Sequence, residues 1–293
     1  MGVDRTNKRD GGEEALEALV ERAKKGDRAA QESMVHEIRD RVYGLALRML
    51  WHPEDAEDAT QEILVKVVTR LSSFRGESAF TTWVYRVASN HLLSTRKRRA
   101  ERTEITFERF EEQLEEGLAD TSRPPATDVG QELLVEEVKV GCMQGMLLCL
   151  DRDQRLAYVL GEILGLTGEE GAYALGVTPA TFRKRLSRAR ERVRRFMSSN
   201  CGLLDPENSC RCSRQVGPAV SNGRIDPNRL LFAGHPVRSR RDAGLAERVR
   251  EMDELERAAA LFRSHPDYAA PGALGERLKE LVGPSGSPSF AND

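Results

Sequence analysis

Aromatic side chains are scarce in this chain. Nine Phe, five Tyr and two Trp make up 5% of its 293 residues. Long apolar runs are missing as well: none approaches the roughly 20 residues that a membrane-crossing helix needs, which excludes such a span. The stretch from Met1 to Asp10 lacks the apolar centre of a secretory signal. Five cysteines in a chain of this length are too few for a disulfide scaffold, so a reducing cytoplasm is the expected setting. The five histidines (His36, His52, His91, His235 and His265) have no partner at a useful catalytic spacing. There is no phosphate-cradling Gly loop, no His-Glu-x-x-His and no Gly-x-Ser-x-Gly. An enzyme is therefore a poor reading.

Charge is what the chain has in excess. Charged residues make up 31% against an ordinary value of about 25%, and the length fits about two domains. The net charge of −2 is a sum over opposed blocks. Residues 178–195 hold eight Lys/Arg and one acid, Glu191, whereas residues 101–139 hold twelve Asp/Glu and four Lys/Arg. The basic block points to a polyanionic partner.

Apolar residues recur at helical spacing and no convincing strand pattern or internal repeat appears. The expected class is all-α: two small helical domains joined by a flexible acidic linker, then a partly helical extension. The expected boundaries are 12–100 for the first domain, 101–139 for the linker and 140–197 for the second domain. A Cys/Pro-rich segment (198–240) and a helical extension with a disordered tail (241–293) come after these. A helical piece is expected inside the linker near Phe107 to Leu118. Pro53 suits a first helical position, with Glu54 and Asp55 favoured at that helix's positive end.

Residues 168–195 carry a helix-turn-helix pattern. A short helix from Glu169 to Leu175 stops at Gly176, a residue suited to left-handed backbone. Thr178 can cap the next helix and Pro179 fits its first position. Phe182, Leu186, Ala189 and Val193 then make a buried stripe, while Arg183, Lys184, Ser187, Arg188 and Arg190 project elsewhere. A helix of this design can enter a major groove, reading base edges with its leading residues and neutralising phosphate with its flanks. The competing reading is a solvated basic helix that touches no nucleic acid.

In the first domain, Asp58, Gln61, Glu62 and Val65 share a polar-edged helix face suited to docking against another helix, or simply solvated. An aromatic and basic cluster comes next: Phe74, Arg75, Phe80, Trp83, Tyr85, Arg86 and Asn90, then Arg96, Lys97, Arg98 and Arg99. Rings stack on unpaired bases and nearby cations hold the strand, which favours an opened duplex. The plainer alternative makes Phe80, Trp83 and Tyr85 core residues.

At these motifs the chain resembles the extracytoplasmic-function group of bacterial sigma factors. The resemblance rests on Asp55-Ala56-Glu57-Asp58 with Gln61-Glu62, on Phe74-Arg75-Gly76-Glu77-Ser78, on Thr82-Trp83-Val84-Tyr85-Arg86 with Asn90, and on Ser187-Arg188-Ala189-Arg190-Glu191-Arg192. It covers about residues 20–100 and 140–197. It implies a non-catalytic specificity subunit whose partners are core RNA polymerase and promoter DNA. The first domain, region 2, would dock through Asp58, Gln61 and Glu62 on the polymerase. It would capture a −10 base with the Phe74–Ser78 loop and the Asn90 helix, aided by Trp83, Tyr85, Arg86, Arg96 and Lys97. Region 4 would read the −35 element through Thr178, Arg183, Lys184, Ser187, Arg188 and Arg190. An ordinary helix-turn-helix regulator outside the polymerase is the alternative.

Two departures from the family pattern stand out. Ala59-Thr60 replaces a bulkier pair, which implies weaker docking. Gly171, costing about 1 kcal/mol of helix propensity against Ala, implies a first helix held loosely until DNA binds. The family implies little about the extension. No cofactor is expected, except that Cys201, Cys210 and Cys212 with His235 offer four ligands for zinc or another soft metal. Their Cys-x8-Cys-x-Cys spacing is not a standard zinc pattern, and a structural or incidental role is the alternative. Arg211 between two of the thiols is expected to lower their pKa. The amphipathic spacing of Leu245, Val249, Met252, Leu255, Ala259 and Phe262 needs a partner surface. That surface is either the chain's own domains, giving self-inhibition, or another protein such as an anti-sigma factor.

Overall fold

Lys25-Gly26-Asp27 breaks the first helical stretch by its own chemistry. Gly26 takes φ 90°, and the Asp27 carboxylate accepts from Ala30 N at 3.1 Å to cap the next helix. In a computed structural model, which describes residues 5–95, 105–119, 130–234, 237–239, 254–264, 267–272 and 274, this break separates α1 (Arg5–Lys24) from α2 (Arg28–Leu50). Pro53 opens α3 (Pro53–Thr69) as its spacing predicts, with Glu54 and Asp55 in the first turn. A 3-10 turn (Leu71–Ser73) and a loop lead to α4 (Phe80–Ser94). These four helices enclose Met34, Ile38, Val42, Leu45, Ile63 and Phe80, all essentially inaccessible to water.

The stretch expected as a flexible linker is largely helical where described. It holds α5 (Phe107–Ala119), which the sequence indicates in part, and the start of α6 (Gln131–Leu148). The physical reason is sidedness. Phe107, Phe110 and Leu114 fall on one face and are buried, while Glu108, Glu112, Glu115 and Glu116 point to water. The acidity thus marks an outer face and does not prevent packing.

The second module is α7 (Arg152–Tyr158), a π turn (Val159–Ile163), α8 (Gly168–Leu175) and α9 (Pro179–Asn200). Arg155, 4% exposed, joins the modules: it donates to Leu147 O, Leu148 O and Leu150 O at the end of α6, and to Met49 O of α2 at 2.6 Å. These carbonyls lie at helix ends, where the regular ladder gives out, and a guanidinium also suits the negative end of the dipole. Beyond Asn200 lie α10 (Cys212–Ser221), α11 (Glu254–Arg263) and a two-stranded antiparallel ribbon of β1 (Val237–Ser239) and β2 (Asp267–Tyr268). Among the described residues the architecture is all-α apart from that ribbon. Among the described residues no helix is long and apolar enough to cross a membrane.

The extension packs back on the body. Val216 and Ala219 of α10 meet Leu134 and Val138 of α6. Phe262 of α11 stands edge-on to Tyr158, centroids 5.2 Å apart. Tyr268 lies under the Arg48 guanidinium of α2, and Ala270 N donates to Asp40 Oδ1 at 3.1 Å. Leu245, Val249 and Met252 lie outside the described residues, as does everything after Leu274.

Candidate nucleic-acid interface

The helix-turn-helix forms as its residues dictate. Thr167 and Glu170 close a reciprocal capping box on α8, and Gly176 ends that helix at φ 66°, ψ 34°. The Thr178 hydroxyl accepts from Thr181 N at 3.2 Å to cap α9, and Pro179 stands in the first turn. Phe182, Leu186, Ala189 and Val193 are buried as the stripe predicts. Thr178, Arg183, Lys184, Ser187 and Arg188 are exposed along the outer side.

Arg190 departs from that set. Its Nε donates to Glu162 Oε1 at 2.7 Å and its NH2 also bonds that carboxylate, which is itself buried. In this arrangement its charge balances a buried acid, which sets it apart from the other basic residues expected to contact DNA. Arg185 is similarly paired with Asp153 at 3.1 Å, and Arg192 lies over the Phe107 ring while donating to Cys149 O. So α9 is basic on two sides with different uses: one holds the module together and the other faces outward.

Gly171 also reads differently in three dimensions. A Cβ there would lie 2.2 Å from Phe182 Cζ, so glycine permits α8 to sit directly on the ring of α9. With a capping box at one end and this close packing, α8 is firmly seated, contrary to the loose helix expected from propensity.

In the first module, Asp58 and Glu62 are exposed and Gln61 half-buried on one side of α3. Glu62 Oε2 also lies 3.7 Å from Nε2 of His91 on α4, whose Nδ1 is 2.6 Å from Lys66 Nζ. Ala59 and Thr60 point the other way and are buried, Thr60 Oγ1 donating to Ala56 O at 2.6 Å. They therefore lie off the Asp58–Glu62 face, so the expected weakening of docking has no basis in their position.

The aromatic cluster resolves toward the core. Phe74, Phe80 and Trp83 form a three-ring group with centroids 5.2 to 5.7 Å apart, and Phe74 and Trp83 are only 6% and 7% exposed. Tyr85 is buried, and burial pushes its phenol pKa up despite the nearby Arg41 and Arg48. These rings are largely covered in this arrangement, which favours the plainer core reading over base stacking. Arg86 is drawn to the second module: its guanidinium lies 4.7 Å from the Tyr173 ring centroid of α8 and donates to Tyr173 O. Arg75 and Asn90 remain exposed. Arg96 and Lys97 lie outside the described residues. Sequence reasoning missed Glu162, Arg155 and Tyr173, whose roles depend on partners far along the chain.

The extension cysteines are affected by burial more than by their neighbour. Arg211 turns its guanidinium to the carbonyls of Pro206, Asn208 and Cys210. Burial pushes the Cys201, Cys210 and Cys212 thiols up, Cys212 to about 12, with Arg211 only a minor opposing influence on Cys201 and Cys210. The activation expected from Arg211 is thus reversed. His235 lies outside the described residues.

Two family models match this chain in order: Sigma-70 region 2 over residues 34–103 and Sigma-70 region 4 over residues 141–193. The RNA polymerase sigma-H factor of Pseudomonas aeruginosa is 33% identical over 186 residues, spanning 62% of this chain and 93% of that protein. The ECF RNA polymerase sigma-E factor of Escherichia coli is 33% identical over 182 residues, spanning 60% and 91%. Among solved structures, CnrH in complex with the cytosolic domain of CnrY superposes with a TM-score of 0.44 at 22% identity, over 62% of this chain and 96% of that one. With nearly the whole of the sigma-H factor aligned and both regions present in order, the chain belongs to the ECF group of sigma-70-type RNA polymerase sigma factors.

Proposed function

We propose that this sigma factor acts in the cytoplasm as a specificity subunit without bond-making chemistry of its own, and that its described surfaces divide the work. Asp58, Gln61 and Glu62 dock on core polymerase. Arg75 and Asn90, joined by Arg96 and Lys97, contact the −10 element, while Phe74, Trp83 and Tyr85 act indirectly by holding α4 in place. Thr178, Arg183, Lys184, Ser187 and Arg188 read the −35 element. The observation that carries this reading is the coexistence in one chain of an exposed acidic patch on α3 and an exposed basic edge on the reading helix of a helix-turn-helix. A stand-alone regulator has no need of the first.

The two reading modules are packed against each other through Arg86 and Tyr173, and the extension touches both, at Tyr158 and at Arg48. This favours a resting form that the extension restrains and that must open for both promoter elements to be engaged. Co-purification with core polymerase and promoter-dependent RNA synthesis test the reading. A chain that binds duplex promoter DNA yet leaves core polymerase untouched would reverse the assignment to a free regulator.

A further inference from the structure

A cavity of about 410 Å³ lies where the two modules, the connector and the extension meet. Trp51 at the end of α2, Phe110 of α5, Met146 of α6, Phe196 of α9 and Phe232 of the extension supply its apolar wall. Cys142 of α6, Cys201 at the end of α9, and Cys210 and Cys212 of the extension add four thiols. As placed, no three Cys, His, Asp or Glu side chains among the described residues stand where they could hold a metal ion. In this arrangement the four thiols are polarizable wall, and burial keeps Cys142 and Cys212 protonated and uncharged. Leu203 lines the cavity and is itself exposed, so the cavity reaches the surface there.

Specific bonds hold this wall in shape. His52 N donates to Leu50 O at 2.9 Å, which folds Trp51 into a γ-turn at φ 72°, ψ −50°. Among the described residues Trp51 alone has a positive φ without being glycine, and such strained backbone gathers where a side chain must be held at a site. Its indole stands edge-on to Phe232, centroids 5.6 Å apart. Phe232 is fixed in turn: the buried Glu137 carboxylate accepts from the N–H groups of Leu231, Phe232 and Ala233 at 2.8, 2.9 and 2.6 Å. Those three bonds engage the one carboxylate in the lining. Arg224, the one cation there, directs its Nε to Asn222 Oδ1 at 3.1 Å, and burial holds its pKa below the ordinary value, the mark of a dry setting.

We propose that this cavity is a binding site for a small uncharged aromatic molecule, whose occupation ties the extension to the junction of the two modules. Cavities of about 300 to 1,000 Å³ lined by apolar and aromatic side chains are the usual small-molecule sites. The rings of Trp51, Phe110, Phe196 and Phe232 offer edge and face contacts to a ligand ring. The four thiols and the Met146 thioether add sulfur contacts that favour an aromatic ligand over an aliphatic one of equal volume. An ionised ligand would lose its hydration against a wall with a single cation and a carboxylate already engaged. A molecule touching α6, the end of α9 and the extension at once binds only while these pieces are assembled, so it stabilises that assembly by mass action. The site stands on the cavity and its wall, and does not depend on the polymerase assignment.

The test titrates the full chain, under reducing conditions, with phenylnaphthylamine, an uncharged aromatic fluorophore that brightens in apolar surroundings. Anilinonaphthalene sulfonate, with the same rings and one negative charge, is titrated in parallel. The expected result is saturable binding of one phenylnaphthylamine per chain, at least about tenfold tighter than the sulfonate. Gly141→Leu fills the cavity from α6, where an added Cβ meets only Phe232 Cε2, at 4.0 Å. It should weaken binding by at least about tenfold and leave the helical circular dichroism unchanged. Bound fluorophore should also slow amide hydrogen exchange in residues 201–232 more than in α8. Absence of saturable binding to the wild-type chain overturns the proposal, as does a sulfonate that binds as tightly as the uncharged molecule. So does a folded Gly141→Leu chain that binds as the wild type does. If that variant fails to fold, the exchange pattern of the wild type decides, and protection spread evenly along the chain overturns the site.

Discussion

Gly171 of α8 lies flat against the Phe182 ring of α9, so close that a single added methyl would sit 2.2 Å from Cζ. Two effects compete at this position. Replacing Gly by Ala in a helix gains about 1 kcal/mol of propensity, while overpacking a close contact costs about 1 to 3 kcal/mol. Phe182 is 1% exposed, which leaves its ring little room to retreat. Gly171→Ala should therefore destabilise the second module, by about 1 kcal/mol net. Chemical denaturation measures this, and a variant more stable than the parent would mean that α8 is loosely seated after all.

Arg188 and Arg190 stand two positions apart on α9 and should behave oppositely. Arg188→Ala should weaken binding to duplex carrying the −35 element by about 1 to 3 kcal/mol and leave folding and core binding intact. Arg190→Ala leaves the buried Glu162 without its cation and should cost about 2 kcal/mol of stability, below the roughly 3 to 5 of a fully buried pair because Arg190 is 41% exposed. Paired denaturation and DNA-binding curves separate the two. Equal effects of both variants on DNA binding, with none on stability, would return Arg190 to the contact set.

Asp58→Lys reverses a charge that is exposed to solvent. It should reduce the affinity for core polymerase by at least about tenfold, and leave the melting temperature and the isolated affinity for −35 duplex unchanged. Competition for core against a second sigma factor reads this directly. Unchanged competition would remove Asp58 from the docking face.

A chain ending at residue 234 lacks Phe262, Tyr268 and Ala270, which hold the extension to both modules. If these contacts restrain the resting form, the shortened chain should bind promoter DNA more tightly and support more transcription with core polymerase than the full chain. A shortened chain that binds core polymerase but starts no transcription would make this segment an activating part.

The buried extension thiols Cys201, Cys210 and Cys212 should be poor nucleophiles. Burial raises Cys212 to about 12, so at pH about 8 almost all of it is the neutral thiol, and the reactive thiolate fraction grows about tenfold per unit of pH until the pKa is reached. Alkylation of the native chain should accordingly be slower than that of the unfolded chain at the same pH and should accelerate as pH rises. Alkylation as fast in the native state as in the unfolded one would restore the activation by Arg211 that the sequence implies.

Some of these features are legible in a few consecutive residues. Thr178-Pro179 starts a helix and Gly176 ends one because a cap involves groups within a single turn. The buried stripe of Phe182, Leu186, Ala189 and Val193 derives from helical period alone, as does the inward face of Phe107, Phe110 and Leu114 within an otherwise acidic stretch. The sigma factor assignment rests on such local motifs taken in order, and all of them are written in consecutive residues.

Linear order alone determined most of the helices and their apolar faces, because those depend on neighbours three or four positions away. Only the tertiary structure decided which charges are used up and which rings are covered. Arg190 and Arg188 look alike until Glu162, 28 positions earlier, comes beside one of them. Trp83 looks like a stacking platform until Phe74 and Phe80 close over it. Cys142 has no visible connection with Cys201, Cys210 and Cys212 until α6, α9 and α10 bring all four to one cavity. No local period encodes such meetings. They are set by how helices pack, and so the fold alone composes both the outward reading edge and the thiol cavity.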